Sequence, residues 1–133
     1  MELSIDGAGR EPIYRQLARQ VREGIATGKL APDERLPSVR ELSRHLVLNP
    51  NTIARVYTEL EREGILVTRP GQGVFVARPK MELTKKARRE RLLQTLDRLL
   101  TEAVHLGFTA REVTELVAER LGRFQWPVPA GQE

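Results

Sequence analysis

The chain has 133 residues, 40% of them hydrophobic and 30% charged, with 10 Gly and 8 Pro, which suits one small domain with an appendage and excludes two full domains and most large catalytic folds. With no Cys and only two His there is no disulfide framework, no thiolate nucleophile and no thiolate zinc site, no metal site is expected, and a cytoplasmic compartment suits the composition. The 22 Lys and Arg against 18 Asp and Glu leave a net charge of +4, which permits a nucleic-acid partner without requiring one.

The N-terminus MELSIDGAGREPIYRQ is acidic and lacks the basic start and apolar run of a signal peptide. No stretch approaches the ~20 apolar residues of a membrane-spanning helix. Arg outnumbers Lys 18 to 4, a bias toward bidentate contacts that the base composition of a genome produces equally well.

Residues 12–28 read as a helix: Pro12 suits the first turn, Ile13, Leu17, Val21 and Ile25 recur every fourth position, and Gly28 closes it. KLAPDERLP (29–37) reads as a loop anchored by Leu36. Ser38 with Glu41 forms a capping-box pattern opening a helix of about nine residues, with an apolar stripe of Val39, Leu42 and Leu46 ending near Val47. Asn49 before Pro50 is the predicted N-cap of a third helix, whose buried face is Ile53, Val56, Tyr57 and Leu60 and whose left-handed stop is Gly64. Asn51, Arg55 and Thr58 fall on its other side. ILVTR (65–69) and VFVA (74–77), flanking Pro70, Gly71, Gln72 and Gly73, predict a β-hairpin.

Composition changes at Pro79, the expected boundary between a first region, 1–78, and a second, 79–133. A long amphipathic helix is expected over 81–106, stopped by Gly107. Thr109 with Glu112 opens a fifth helix, and the proline-broken FQWPVPAGQE is expected to fray. The fold class is thus mainly α with a small β-hairpin: a winged helix-turn-helix, a scaffold whose third helix enters the DNA major groove, followed by a two-helix dimerisation hairpin. From 35 to 58, Arg35, Arg40, Arg44 and Arg55 face one acid, Glu41, while Glu59, Glu61 and Glu63 crowd the far end of the third helix. Carboxylates there oppose the helix dipole, and repulsion of DNA backbone at the wrong end is one reason for them.

From PIYRQ to VFVA (12–77), the chain resembles the DNA-binding domain of the GntR family of bacterial transcription regulators. The LPSVREL segment, the NPNT turn, the helix ending in LEREG and the GQGVFV wing carry that resemblance jointly. The short tail resembles the YtrA-type branch. The resemblance implies DNA contacts from Arg40, Asn49, Asn51, Thr52 and Gly71, and the candidate set is completed by Ser38, Pro50, Arg55, Arg69, Gln72 and Gly73. The Arg40 fork can grip a phosphate or a guanine edge and Asn51 can pair with adenine. The first amides of the third helix, with the Asn49 and Thr52 side chains, can form a phosphate site. Gly71 and Gly73 allow close approach to a minor groove. Many family members carry Arg at the positions of Pro50 and Ala54, and those contacts are lost here.

Plainer readings stand beside these. Asn49 is explained equally as a helix cap, a role compatible with DNA contact. Arg44 and Arg62 read as solvated, and His45 and His105 as surface residues. The GQG triplet is too short for a nucleotide fingerprint. Tyr57 and Phe75 read as core, and the run Lys85, Lys86, Arg88, Arg89 and Arg91 reads by default as a solvated face, with contact to DNA flanks as its other reading.

A dimer interface is expected from Leu92, Leu93, Leu96, Leu99, Leu100, Ala103, Val104, Val113, Leu116, Val117 and Leu121, an apolar stripe that a monomer would expose. A two-fold homodimer reads a palindromic, inverted-repeat operator on double-stranded DNA with third helices ~34 Å apart. Repression by occlusion, and through the YtrA-type branch control of nearby transporter genes, is the implied role. No cofactor is expected, no membrane partner, and the tail offers no obvious polar pocket for a small-molecule effector. Two other classes stay open: a winged-helix protein-interaction module without DNA binding, and an enzyme, for which no nucleophile–base pair or phosphate loop is found.

Overall fold

The computed structural model describes residues 3–78 and 84–127. Seven elements follow in chain order: α1 (Ile13–Ala26), α2 (Val39–Leu46), α3 (Pro50–Arg62), β1 (Leu66–Arg69), β2 (Gly73–Val76), α4 (Lys85–His105) and α5 (Ala110–Leu121). Among the described residues, 3–78 with 125–127 form one compact unit and 84–124 another. Pro79, the expected boundary, lies outside the described residues.

In the first unit the fourfold steps of α1 bury Leu17 and Val21, with Ile13 and Ile25 half-buried at the ends. They meet Leu42 of α2, Ile53, Val56, Tyr57 and Leu60 of α3, and Leu66 and Val76 of the hairpin. Leu30 and Leu36 pin the intervening segment to the same core. Each such side chain contributes about 1.5–3 kcal/mol relative to exposure. Gln16, buried inside this apolar set, is satisfied by donating to the carbonyls of Asp6 (3.0 Å) and Glu11 (2.8 Å), which fastens the N-terminal segment over α1.

Local signals set the helix ends. Ser38 Oγ accepts from the Glu41 amide at 3.0 Å. No return bond from the Glu41 carboxylate completes the box, and that carboxylate lies 4.0 Å from Arg35. Asn49 Oδ1 accepts from the Asn51 amide at 2.9 Å, with Pro50 as the first helical residue. Gly64, at φ +80°, ends α3. The three carboxylates that oppose the dipole of α3 all have partners within the protein: Glu59 lies 3.5 Å from Arg55, Glu61 accepts from the amide and hydroxyl of Thr68, and Glu63 receives a forked pair from Arg22 of α1 at 2.7 Å. Glu61 and Glu63 brace α3 against the hairpin and α1, and Glu59 pairs within α3, which gives all three carboxylates a structural role.

The turn between α2 and α3 holds a residue in an uncommon conformation. Val47 has φ +55°, and the Leu48 amide closes the helix end by donating to the Ser43 carbonyl at 3.0 Å. A β-branched residue in the left-handed region carries about 1–2 kcal/mol of steric strain, and Val47 is 87% exposed, so packing does not repay it. Val47→Asn is therefore expected to raise the thermal unfolding midpoint by a few °C; an unchanged or lower midpoint would show that no strain is stored there.

The hairpin pairs antiparallel from Leu66↔Val76 to Arg69↔Gly73. Its turn places Pro70 second and Gly71, at φ +73°, third, closed by the Gln72 amide on the Arg69 carbonyl at 2.9 Å, the arrangement of a type II turn. The segment read as a plain loop adds a third edge. Asp33 donates to Val76, Val76 to Glu34 and Leu36 to Val74, at 2.8–2.9 Å, and Arg35 bridges Phe75.

In the second unit Thr84 caps α4 by accepting from the Ala87 amide at 3.1 Å, so the helix begins at Lys85, later than the expected 81; residues 81–83 lie outside the described residues. Gly107 at φ +83° follows the end of α4, and Thr109 with Glu112 completes a reciprocal capping box for α5. Neither α4 nor α5 buries a single residue, and the two helices pack little on one another. None of the helices is long and apolar enough to cross a membrane among the described residues. In the tail expected to fray, the Gln125 amide donates to the Ala26 carbonyl; residues 128–133 lie outside the described residues.

Candidate nucleic-acid interface

Three pieces of backbone present the candidate residues: the first turn of α2, the first turn of α3 and the hairpin turn. Two of them are joined by Arg35. Its guanidinium lies 4.0 Å from Glu41 in the first turn of α2 and against Gly73 of the wing, where an added Cβ would come within 3.0 Å of Arg35 Nε. Gly73 also has φ +122°, so a side chain there is strained by the backbone and would displace the Arg35 guanidinium. Tyr57 ties α3 to the same region by donating its hydroxyl to the Pro37 carbonyl at 2.7 Å. Burial, then the nearby Glu41 charge, push that phenol up to about 12, so it stays a donor throughout the neutral range.

On this frame Arg40 is exposed and forms no ion pair among the described residues, leaving its five donors for a phosphate or a guanine edge. Ser38 is half-buried and occupied as a cap, and Pro50 serves as first helical residue. Asn49 and Asn51 are exposed and Thr52 half-buried. The proposed amide cradle is already filled from within: Pro50 has no N–H, the Asn51 amide goes to the Asn49 side chain, and the Thr52 amide goes to the Asn49 carbonyl at 3.0 Å. What this helix end offers a ligand is side chains, namely the Asn49 amide nitrogen, the Asn51 carboxamide and the Thr52 hydroxyl.

Two candidate arginines are engaged elsewhere. Arg55 stacks on the Tyr14 ring at 4.4 Å and lies 3.5 Å from Glu59. Arg69 crosses β2, stacks on Phe75 at 4.3 Å and pairs with Asp33 at 2.8 Å. Gly71 and Gln72 stand exposed at the turn.

Sequence reasoning counts Arg35 only as one cation of the basic window and misses Asp33, both in a proline-flanked stretch whose pairing to β2 is long-range. Asp33, at φ +68°, gives one carboxylate oxygen to Arg69 and the other to Arg78, at 2.6 Å. Hydrogen bonds from Arg78, then from Arg69, hold its carboxyl below the usual aspartate range. A depressed carboxyl stabilises the fold above its unfolded value and loses that contribution as pH falls through the folded one. The clamp is therefore expected to persist from neutral pH down through about 3.9 and dissolve below it. NMR of the Arg69 and Arg78 side chains in an acid titration reads this directly, and Asp33→Asn should abolish the step.

This geometry is that of a known group. The family model for bacterial regulatory proteins, gntR family, matches residues 13–76, the span from α1 through β2. The HTH-type transcriptional repressor YtrA of Bacillus subtilis is 32% identical over 117 residues, covering 88% of this chain and 90% of that protein. The chain belongs to the GntR family. As a GntR protein it is a DNA-binding transcriptional regulator, not an enzyme, and its likeness to YtrA runs through both units. A transcriptional antiterminator from Listeria monocytogenes EGD-e aligns over 98% of both chains with a TM-score of 0.77 and 27% identity. The DNA-binding domain of AraR in complex with operator ORX1 aligns over 58% of this chain and 96% of its own with a TM-score of 0.51 and 29% identity. Family membership removes the reading of a winged helix without DNA binding.

Proposed function

We propose that this GntR protein is a homodimeric repressor, acting in the cytoplasm, that occludes a promoter by binding an inverted-repeat operator. The observation that carries the reading is that α4 and α5 bury nothing while displaying Leu92, Leu93, Leu96, Leu99, Leu100, Val104, Leu116, Val117 and Leu121 to solvent. Apolar surface on that scale is unfavourable in water, and a second copy related by a two-fold axis covers it with the same residues. Val113 and Ala103, half-buried, complete the interface.

Each protomer then offers one half-site reader: Arg40, Asn49, Asn51 and Thr52 toward the major groove, and Gly71, Gln72 and Gly73 toward the backbone or minor groove. Ser38 and Pro50 hold the two helix starts. Arg55 and Arg69 are held by Tyr14 with Glu59 and by Phe75 with Asp33, and the guanidinium donors those contacts leave over are what they offer a phosphate. YtrA is named a repressor, which supports the sign of regulation, and adjacent transporter genes are the proposed targets.

The test is DNA selection with purified protein, alongside sedimentation. Enrichment of a palindrome with half-site centres about 10 bp or a multiple apart, lying upstream of transporter genes, is the expected result. A monomer at micromolar concentration, or enrichment of single non-repeated sites, overturns the dimeric reading.

A further inference from the structure

The net charge of the chain is the charge of seven residues. Lys85, Lys86, Arg88, Arg89 and Arg91 stand against Glu90 alone, and the rest of the sequence is neutral. These cations occupy the first two turns of α4, where they work against the helix. They sit at the positive end of its dipole, which favours acids. Lys85 with Arg88 and Arg89, Lys86 with Arg89, and Arg88 with Arg91 are like-charge neighbours at three and four positions, each mildly destabilising.

Among the described residues nothing relieves this. All five are exposed, and none forms an ion pair among the described residues, although Glu90 stands four positions after Lys86. An ordinary solvated helix face mixes its charges, as in α5, where Arg111 lies 3.4 Å from Glu115. The apolar stripe of α4 starts only at Leu92, so a helix serving that stripe alone has no use for these two turns.

We propose that the first two turns of α4 are a second DNA contact, independent of sequence, which neutralises backbone phosphates of the duplex flanking the half-site. The proposal rests on the operator-binding reading above. Charge complementarity selects the partner: a lipid surface is gripped by cations beside an apolar face, but among these seven residues the only apolar side chain is the small, half-buried Ala87, and the exposed stripe that follows from Leu92 is the one the second copy covers in the dimeric reading above. A polyanion requires cations alone. The run also follows Arg78, at the end of the wing, after only six residues of chain.

The experiment compares full-length wild type with Lys85→Gln/Lys86→Gln/Arg88→Gln/Arg89→Gln, since Gln keeps helix propensity. Each is titrated with a minimal duplex and with the same duplex extended by about 10 bp, one helical turn, of arbitrary sequence on each side. Wild type should bind the extended duplex about tenfold or more tightly than the minimal one, with a steeper salt dependence. The variant should lose that gain and show a slope smaller by about 0.9 per phosphate contact removed, while its binding to the minimal duplex, its dimer mass and its helix content are kept. Arg88→Lys/Arg89→Lys, which keeps the charge, should retain most of the gain.

Equal wild-type affinity for the two duplexes overturns the proposal. So does an equal loss by the variant on both, or a loss seen only on vesicles of anionic lipid. The comparison uses whichever duplex selection enriches, so failure of the palindrome defeats the dimeric reading and leaves the flank effect to be scored on its own. Arg88→Gln/Arg89→Gln serves if the fourfold variant folds poorly.

Discussion

Arg40→Ala is expected to weaken operator binding without changing stability. The side chain is exposed and forms no ion pair among the described residues, and a surface substitution of this kind moves folding free energy by no more than about 0.5 kcal/mol. Its backbone carbonyl, which accepts from the Ser43 hydroxyl at 2.9 Å, is untouched. If the guanidinium holds a guanine edge, the loss per half-site is about 1–3 kcal/mol, and discrimination at one base pair relaxes. If it holds a phosphate, binding weakens evenly across sequences and the salt slope falls by about one contact. Arg40→Lys separates the two, since an ammonium retains a phosphate contact but cannot reproduce a bidentate fork. Titrations at three salt concentrations on matched and single-mismatch operators read every arm, and no change in affinity, mismatch cost or slope would remove Arg40 from the interface.

The parts of this fold legible in the sequence are those whose causes are local. Ser38, Asn49 and Thr109 accept from amides two or three residues ahead, and Gly64 and Gly107 follow helix ends in the left-handed region. Such signals survive without knowledge of tertiary neighbours. The four-residue periodicity of α1 and the i, i+3, i+4, i+7 set of α3 worked for the same reason, because burial of one helix face leaves its mark in the spacing.

What the sequence hid is long-range. The acids at the end of α3 look unfavourable against the dipole alone, but Glu63 meets Arg22, forty-one positions earlier. Arg55 and Arg69 look free for DNA until Tyr14 and Phe75 are found beneath their guanidiniums. The Asp33–Leu36 edge carries no strand pattern of its own, being flanked by Pro32 and Pro37, and owes its conformation to the open side of β2. In each case the deciding partner belongs to another element, so a charged residue's sequence position says where it can point and not what it is bonded to. The amides at the start of α3 have a local competitor for any phosphate: Asn49 is a cap, and the bond that makes it one takes up the Asn51 donor.

Leu96→Glu is expected to convert the protein to a monomer and to cost at least a hundredfold in operator affinity, though Leu96 is not itself among the DNA-facing candidates. In the isolated chain Leu96 is 42% exposed, so a carboxylate there stays hydrated and circular dichroism should show α4 intact. In a two-fold dimer the same position is buried twice. Each protomer then forfeits about 1.5–3 kcal/mol of leucine burial and must bring an unpaired carboxylate into an apolar seam, which costs several kcal/mol more per charge. Two linked half-site readers gain about 10²–10⁴ in avidity over one, and that gain disappears when the linkage does, while the contacts of a single half-site persist. Sedimentation should therefore report a monomer at micromolar concentration, and a single half-site duplex should bind the variant as well as it binds one arm of the wild type. Leu96→Met, which conserves volume and apolarity, should behave as wild type. A Leu96→Glu protein that still sediments as a dimer would place the interface elsewhere than on this stripe, and a monomer that binds the full operator undiminished would show that dimerisation is not what gives the operator its affinity.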